Sequence, residues 1–235
     1  MSKEPGKRLV EKRIAAERAA HELADGMVVG LGSGSTAMLA LEAIAARMAK
    51  GLRIVGIPTS QATADRATVL GIPLTDFSHH PRIDVTIDGA DQVARGTLDL
   101  VKGLGGALLR EKIVASASAR MIVVVDETKL VDRLGGASPL PVEIVPFGSE
   151  TTMARLSALG VAPSLRLAGG APFISDGGHY IADCAVPEIS DPAALEKRLT
   201  GTLGVIATGL FIGLATKVIV GQEAGAKVIE SPRVS

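Results

Sequence analysis

Residues 27–50 read MVVGLGSGSTAMLALEAIAARMAK, and their order decides the class of fold. Met27 to Leu31 is a short apolar run, which predicts a strand. Gly30-Leu31-Gly32-Ser33-Gly34-Ser35-Thr36 is a glycine loop, and the apolar run from Ala37 to about Lys50 predicts a helix. Strand, glycine loop and helix in that order can hold an anion. The first helical turn has backbone N–H groups without internal acceptors, glycines let a ligand approach the backbone, and the Ser and Thr hydroxyls add donors. A dinucleotide fingerprint wants a third glycine where Ser35 stands, and a P-loop wants a Gly-Lys pair that is absent. The alternation then repeats, with a strand over Arg53 to Ile57, a loop and helix cap at Pro58-Thr59-Ser60, a helix over Gln61 to Leu70 and a strand near Ile72 to Leu74. This β-α-β-α order predicts a mainly parallel sheet covered by helices on both faces.

Upstream, Pro5 to Ala24 carries apolar residues at helical spacing and predicts an amphipathic helix, with Lys12 on its polar, solvated face. Downstream, residues 83–111 read IDVTIDGADQVARGTLDLVKGLGGALLRE. Ile83, Val85 and Ile87 alternate with Asp84 and Thr86 as in a strand, and Asp88-Gly89 is a turn signal. Asp88 and Asp91 are therefore expected at a strand's carboxyl end, where ligands bind in open α/β sheets. A second glycine turn, Lys102-Gly103-Leu104-Gly105-Gly106, leads into a predicted helix over Ala107 to Ala115. Glu111 lies just over a turn inside it, and Lys102 lies on the loop before it. Two acids, a lysine and a glutamate beside two glycine turns make this stretch the expected reacting centre.

Met121 to Val125 is a fully apolar predicted strand, which puts Lys129 at another carboxyl end. Gly135 to Pro139 breaks the pattern. Beyond it come a strand at Val142 to Val145, a helix over Ser149 to Leu159 and a hairpin of Phe173 to Ser175 with Tyr180 to Cys184 about Asp176-Gly177-Gly178. A helix capped by Asp191-Pro192 and a strand at Val205 to Thr208 complete a β-α-β-β-α-β series. The chain then returns through Ile212 to Val220, and a closing segment, Ala226 to Glu230, is expected to rejoin the first domain.

Lys plus Arg balance Asp plus Glu at 25 each, so no net field attracts nucleic acid or an anionic membrane. The single cysteine, Cys184, excludes an internal disulfide and any cysteine-based zinc cluster, and is expected to be buried. His79 and His80 have no carboxylate or histidine at ligand spacing and are expected on the surface. The charged N-terminus is unlike a signal peptide and no apolar stretch spans a bilayer, so a reducing cytoplasm is the expected compartment.

Taken together, SGST at 33–36, DGAD at 88–91, KGLGG at 102–106 followed by LLREK to 112, and TKLVDRLG at 128–135 resemble the type A ribose-5-phosphate isomerase family. PLPVEIVPF at 139–147 and DGGHYIADC at 176–184 extend the resemblance over nearly the whole chain. It implies an aldose–ketose isomerase of the pentose phosphate pathway that interconverts ribose 5-phosphate and ribulose 5-phosphate, needs no metal or nucleotide cofactor, and forms a dimer or tetramer. By motif, Glu111 is implied as the proton-transferring base, with Asp88, Asp91 and Lys102 as its catalytic companions. Ser33, Gly34, Ser35, Thr36, Asp88, Gly89, Ala90, Asp91, Lys102, Gly103, Leu104, Gly105 and Lys129 are implied to bind the sugar phosphate. Many relatives have glycine where Leu104 stands and asparagines where Gly177 and His179 stand; the latter pair is expected to lie away from the chemistry.

The implied fold is α/β, a Rossmann-like mainly parallel sheet with helices on both faces over residues 1–138 and 210–235. A small α+β subdomain, split-βαβ or ferredoxin-like, is expected over 139–209. The chemistry fits these residue types independently, since one carboxylate can move a proton between C2 and C1 while a lysine and backbone amides stabilise the enediolate. A sugar-phosphate sensor without catalysis is the alternative on a related fold. The retained Glu111 and the lack of room for a DNA-binding module before the first strand count against it.

Overall fold

The computed structural model describes residues 5–136 and 138–232; residues 1–4, 233–235 and Ala137, within the expected break at 135–139, lie outside the described residues. From the N-terminus the chain forms α1 (Pro5–Ala20), β1 (Val28–Leu31), α2 (Ser35–Met48), β2 (Val55–Pro58), α3 (Gln61–Val69) and β3 (Val85–Asp88). Next come β4 (Gln92–Ala94), β5 (Leu100–Val101), α4 (Leu108–Ser116), β6 (Met121–Asp126), a 3-10 turn (Glu127–Lys129) and β7 (Leu130–Val131). The remaining elements are β8 (Leu140–Ile144), α5 (Ser149–Ala158), β9 (Ala162–Leu165), the short pair β10 (Leu167–Ala168) and β11 (Ala171–Pro172), β12 (Tyr180–Ala185) and α6 (Pro192–Thr200). They end with β13 (Val205–Thr208), β14 (Leu210–Phe211), β15 (Lys217–Gln222) and β16 (Gly225–Glu230).

The main sheet has the order β16-β15-β6-β3-β1-β2. Its strands are parallel from β15 to β2, and β16 returns antiparallel on β15. Such strands are buried on both faces, and the period of two divides their side chains between two cores. Val29, Leu31, Val85, Ile87, Ile122, Val124 and Ile219 pack with alanines of α1 and with Leu39, Leu41 and Ile44 of α2. On the other face, Met121, Val123, Val125, Val218 and Val220 meet Val93, Leu100, Phe211 and Ala115. That second face is covered by α4 together with a short four-stranded sheet, β14-β5-β4-β7. Strands of two or three residues carry no periodicity, and this sheet is not foreseen from the pattern.

Residues 140–208 contribute a second four-stranded sheet, β13-β8-β12-β9, with every neighbouring pair antiparallel. This is the ferredoxin-like order expected from the β-α-β-β-α-β series. Its second strand is β9 rather than Phe173 to Ser175, which reaches β12 only through an isolated bridge between Ile174 and Tyr180. β9 is an exposed edge containing Pro163, so neither alternation nor an apolar run marks it. Residues 72–74 likewise make a single bridge, Leu74 to Gly56, because Pro73 between them has no N–H to extend a ladder. α1 stops four residues before the expected Ala24, and α2 begins two residues before the expected Ala37.

Candidate active site

The carboxyl ends of β1, β3 and β6 and the start of α4 converge on a cavity of about 290 Å³. At its floor Lys102 joins two carboxylates. Its Nζ lies 3.0 Å from Asp88 Oδ2 and 3.3 Å from Glu111 Oε1, and donates to the Gly89 carbonyl at 2.6 Å. The exposures of Asp88, Lys102 and Glu111 are 0, 2 and 5%, so all three charges are out of water and depend on one another. Asp88 is the last residue of β3, and its Oδ1 accepts from the backbone N–H groups of Ser33 and Gly89. Glu111 sits in the first turn of α4, whose cap Ala107 offers no side-chain acceptor. The ring of Phe211, fully buried, closes the cluster from below, with the Lys102 and Lys112 ammonium groups 5.6 and 5.2 Å from its centroid.

The electrostatics follow from burial. Desolvation pushes the Glu111 carboxyl up to about 8, against the pull of Lys102 and with the help of the Asp88 charge. Desolvation also raises Asp88, although Lys102 and two backbone N–H groups favour its ionised form. Burial alone would lower Lys102, but Asp88, Glu111 and Asp91 outweigh it and hold the ammonium above its ordinary value. Burial thus pushes both carboxyls toward holding a proton, Glu111 up to the neutral range, while Lys102 remains charged.

Gly32 makes this cluster possible. A Cβ there would lie 2.3 Å from Asp88 Oδ1 and 2.6 Å from its Cα. Gly32→Ala is expected to drive Asp88 off Ser33 and Lys102, costing about 1–3 kcal/mol by overpacking and lowering turnover. Thermal unfolding and initial rates check this, and parental values for both would show that the close approach is dispensable.

Gly34 (φ 87°) caps α2 without a side-chain hydrogen bond, and the start of that helix lines the same cavity. Ser35 and Thr36 open the helix, and Lys129 approaches from the 3-10 turn after β6. Ser33 is engaged elsewhere: its Oγ joins Thr59, Ser60 and Thr63 at 2.7, 2.8 and 3.0 Å, tying the loop to the start of α3. Asp91 Oδ2 accepts from the Leu104 N–H at 3.0 Å, which links the two glycine turns.

Of the residues singled out in the sequence, Ser33, Gly34, Ser35, Thr36, Gly89, Ala90, Asp91, Lys102, Gly103, Gly105, Glu111 and Lys129 line this one cavity. Asp88 lies behind it. Leu104 does not line it; the residue is 41% exposed while its backbone serves the loop. Lys12, Phe173 and Asp176 line the cavity unforeseen. Lys12 reaches down from α1 and donates to Ser35 Oγ at 3.0 Å, so it is not the solvated lysine its helix face implied. The Asp176 turn is not remote either: its carboxylate accepts from the Gln61 N–H at 2.7 Å, and its carbonyl accepts from Arg110 at 2.9 Å. Only the Asp176-Gly177 turn signal hinted at it, and nothing local relates that turn to α3 or α4.

Among the described residues no group of three or more His, Cys, Asp or Glu is arranged to hold a metal ion, and no helix is long and apolar enough to cross a membrane. Cys184 is buried.

The profile of the ribose 5-phosphate isomerase A (phosphoriboisomerase A) family matches residues 55–225. The ribose-5-phosphate isomerase A of Gloeobacter violaceus is 53% identical over 218 residues, covering 93% of this chain and 95% of its own. Among solved structures, the ribose 5-phosphate isomerase A of Methanocaldococcus jannaschii superposes with a TM-score of 0.90 at 37% identity, over 94% of this chain and 98% of that one. The Plasmodium falciparum ribose 5-phosphate isomerase gives 0.91 at 36%, over 95 and 99%. With a family profile over most of its length, near full-length relatives and a shared fold, the chain belongs to the ribose 5-phosphate isomerase A family.

Proposed function

We propose that the chain interconverts D-ribose 5-phosphate and D-ribulose 5-phosphate through an enediolate, with Glu111 moving the proton between C2 and C1. The observation that carries the mechanism is the buried Asp88–Lys102–Glu111 cluster on the cavity floor. On the open-chain aldose, the Glu111 carboxylate takes the C2 proton, and the electron pair forms the C1–C2 double bond as charge develops on O1. The Lys102 ammonium is a fixed positive charge in a dry site and stabilises that oxygen without reorganisation. O1 is protonated, O2 gives up its proton to become the ketose carbonyl, and Glu111 returns its proton to C1. Asp91, at the mouth of the same cluster, is assigned to ring opening and to the oxygen protons. Asp88 holds Lys102 in place. The α2 N-terminus with Ser35, Thr36, Lys12 and Lys129, all lining the cavity, supports phosphate binding there. Incubation with ribose 5-phosphate in deuterated water, followed by NMR, tests the reading: ribulose 5-phosphate carrying label at C1 is the expected product, and absence of both product and label refutes it.

A base must be ionised to act, so the position of Glu111 near 8 has a kinetic consequence. Below that value the free enzyme holds the proton, and kcat/KM is expected to rise about tenfold per pH unit before levelling above about 8. The second ionisation of the phosphate, near 6, falls in a separate range. A profile already flat between pH 6.5 and 9 would show that the base titrates as an ordinary carboxylate.

The family also implies a homo-oligomer, dimer or tetramer, in the cytoplasm. The outward-facing Phe147 and Leu203, 93 and 77% exposed, support an apolar contact between copies.

A further inference from the structure

We infer that Arg166 is a positioning residue for the isomerisation, acting through the glycine turn that carries Lys102. The inference rests on the reaction proposed above. Arg166 follows β9, far from the reacting centre in sequence, and its backbone is fixed by Arg166 N–H donating to Ile181 O and by its carbonyl accepting from Phe173. Its guanidinium forms a two-pronged pair with Asp183, with Nε 2.8 Å from Oδ2 and Nη2 on Oδ1. The remaining terminal nitrogen, Nη1, donates to two successive main-chain carbonyls, Gly103 O at 3.1 Å and Leu104 O at 3.0 Å. The Phe173 ring lies 5.7 Å from the guanidinium carbon, and it occupies the space where a Cβ of Gly106 would be, 2.5 Å from two ring carbons.

Peptide planarity turns these contacts into a statement about the site. In a trans peptide the carbonyl and the N–H point in opposite directions. The Gly103–Leu104 peptide has its oxygen on Arg166, and its N–H reaches Asp91 Oδ2 on the other side. The Leu104–Gly105 peptide also has its oxygen on Arg166, so the Gly105 N–H faces away from the guanidinium, and Gly105 lines the cavity. Arg166 therefore orients one peptide that holds Asp91 and another that presents a donor to the sugar. Its charge also polarises both, which strengthens the N–H groups as donors. The turn is closed by the Gly106 N–H on the Gly103 carbonyl at 2.9 Å, and Arg166 adds to that hydrogen bond. Gly103 and Gly106 adopt φ values of 102° and 83°, and no side chain of the turn fixes their conformation. A lysine has no planar fork with which to engage two carbonyls and a carboxylate together.

Arg166→Ala and Arg166→Lys test this against the parent. Losing one oriented donor costs about 10²–10³ in turnover when the donor itself is removed, so loosening it is expected to lower kcat about tenfold to a hundredfold, with a smaller change in KM. Free guanidinium at millimolar concentration is expected to restore part of the Arg166→Ala loss, and Arg166→Lys should not substitute for arginine. The second measurement does not need turnover. In ¹⁵N-labelled protein the Gly105 amide is expected to shift and to exchange faster with solvent in both variants. If Arg166→Ala does not fold, Arg166→Lys carries both measurements. Parental kcat in a folded variant overturns the inference, as does an unchanged Gly105 amide, whether or not the parent isomerises ribose 5-phosphate. A parent without turnover refutes the proposed reaction separately.

Discussion

Glu111→Gln is expected to lower turnover by at least about 10²-fold, and by up to about 10⁴-fold, the range general-base catalysis contributes. Glutamine keeps the size of the side chain and removes only its capacity to accept the C2 proton. Substrate affinity should stay near parental, because Lys12, Thr36 and Lys129, proposed to bind the phosphate, are untouched. Deuterium exchange at C2 should disappear in parallel with turnover. Stability should move the other way. Glu111 binds its proton more tightly folded, near 8, than unfolded, near 4.5, so the parent loses stability as pH rises between those values. The glutamine variant mimics the protonated form, so its advantage in unfolding temperature should be small at pH 4.5, widen to about pH 8 and then remain constant. Retention of more than about a tenth of parental turnover would place the base elsewhere, with Asp91 the first candidate.

Lys102→Met is expected to damage both catalysis and the fold. It removes the charge that stabilises the enediolate, worth about 10²–10³ in turnover on the scale of a single preorganised donor. It also strands Asp88 and Glu111 together out of water, and breaking a buried charge cluster at one partner costs about 3–5 kcal/mol. The two carboxyls can escape that penalty by taking up protons. Without Lys102 both folded values rise further, so the destabilisation should be greatest above pH 8 and shrink toward pH 5. Urea unfolding at several pH values separates the effects. A loss of stability independent of pH would mean that the lysine acts by packing against Phe211 rather than by charge.

The residues doing the proposed chemistry were legible because local rules apply to them. Asp88 ends a strand, Lys102 and Glu111 flank a glycine turn and helix start, and each position follows from a few neighbouring residues. Lys12, Arg166, Phe173 and Asp176 were hidden for the opposite reason. Lys12 meets Ser35 across 23 residues and Arg166 meets Leu104 across 62, and no periodicity encodes which exposed cation folds back onto a loop. The main sheet was readable from its strand and helix alternation. β4, β5, β7 and β14 were not, since two or three residues cannot show a period and their pairing is decided by the face they cover. Asp176 shows the same limit on function: its turn was visible, but its contact with Gln61 is a product of how the two sheets pack.

The late strand β15 has a consequence during synthesis. It fills the position between β6 and β16, parallel to β6, and α1 lies so close against it that a Cβ on Gly221 would be 1.7 Å from the Glu11 carbonyl. On the ribosome, β6, buried along its whole length in the finished protein, emerges roughly 90 residues before its partner; at about 5–20 residues per second it waits roughly 5–20 s with one edge open. For that interval the apolar sequence MIVVVD is a template for pairing with another nascent chain. Yield in the cell should therefore depend on holding the nascent chain apart from its neighbours until residues 217–222 arrive.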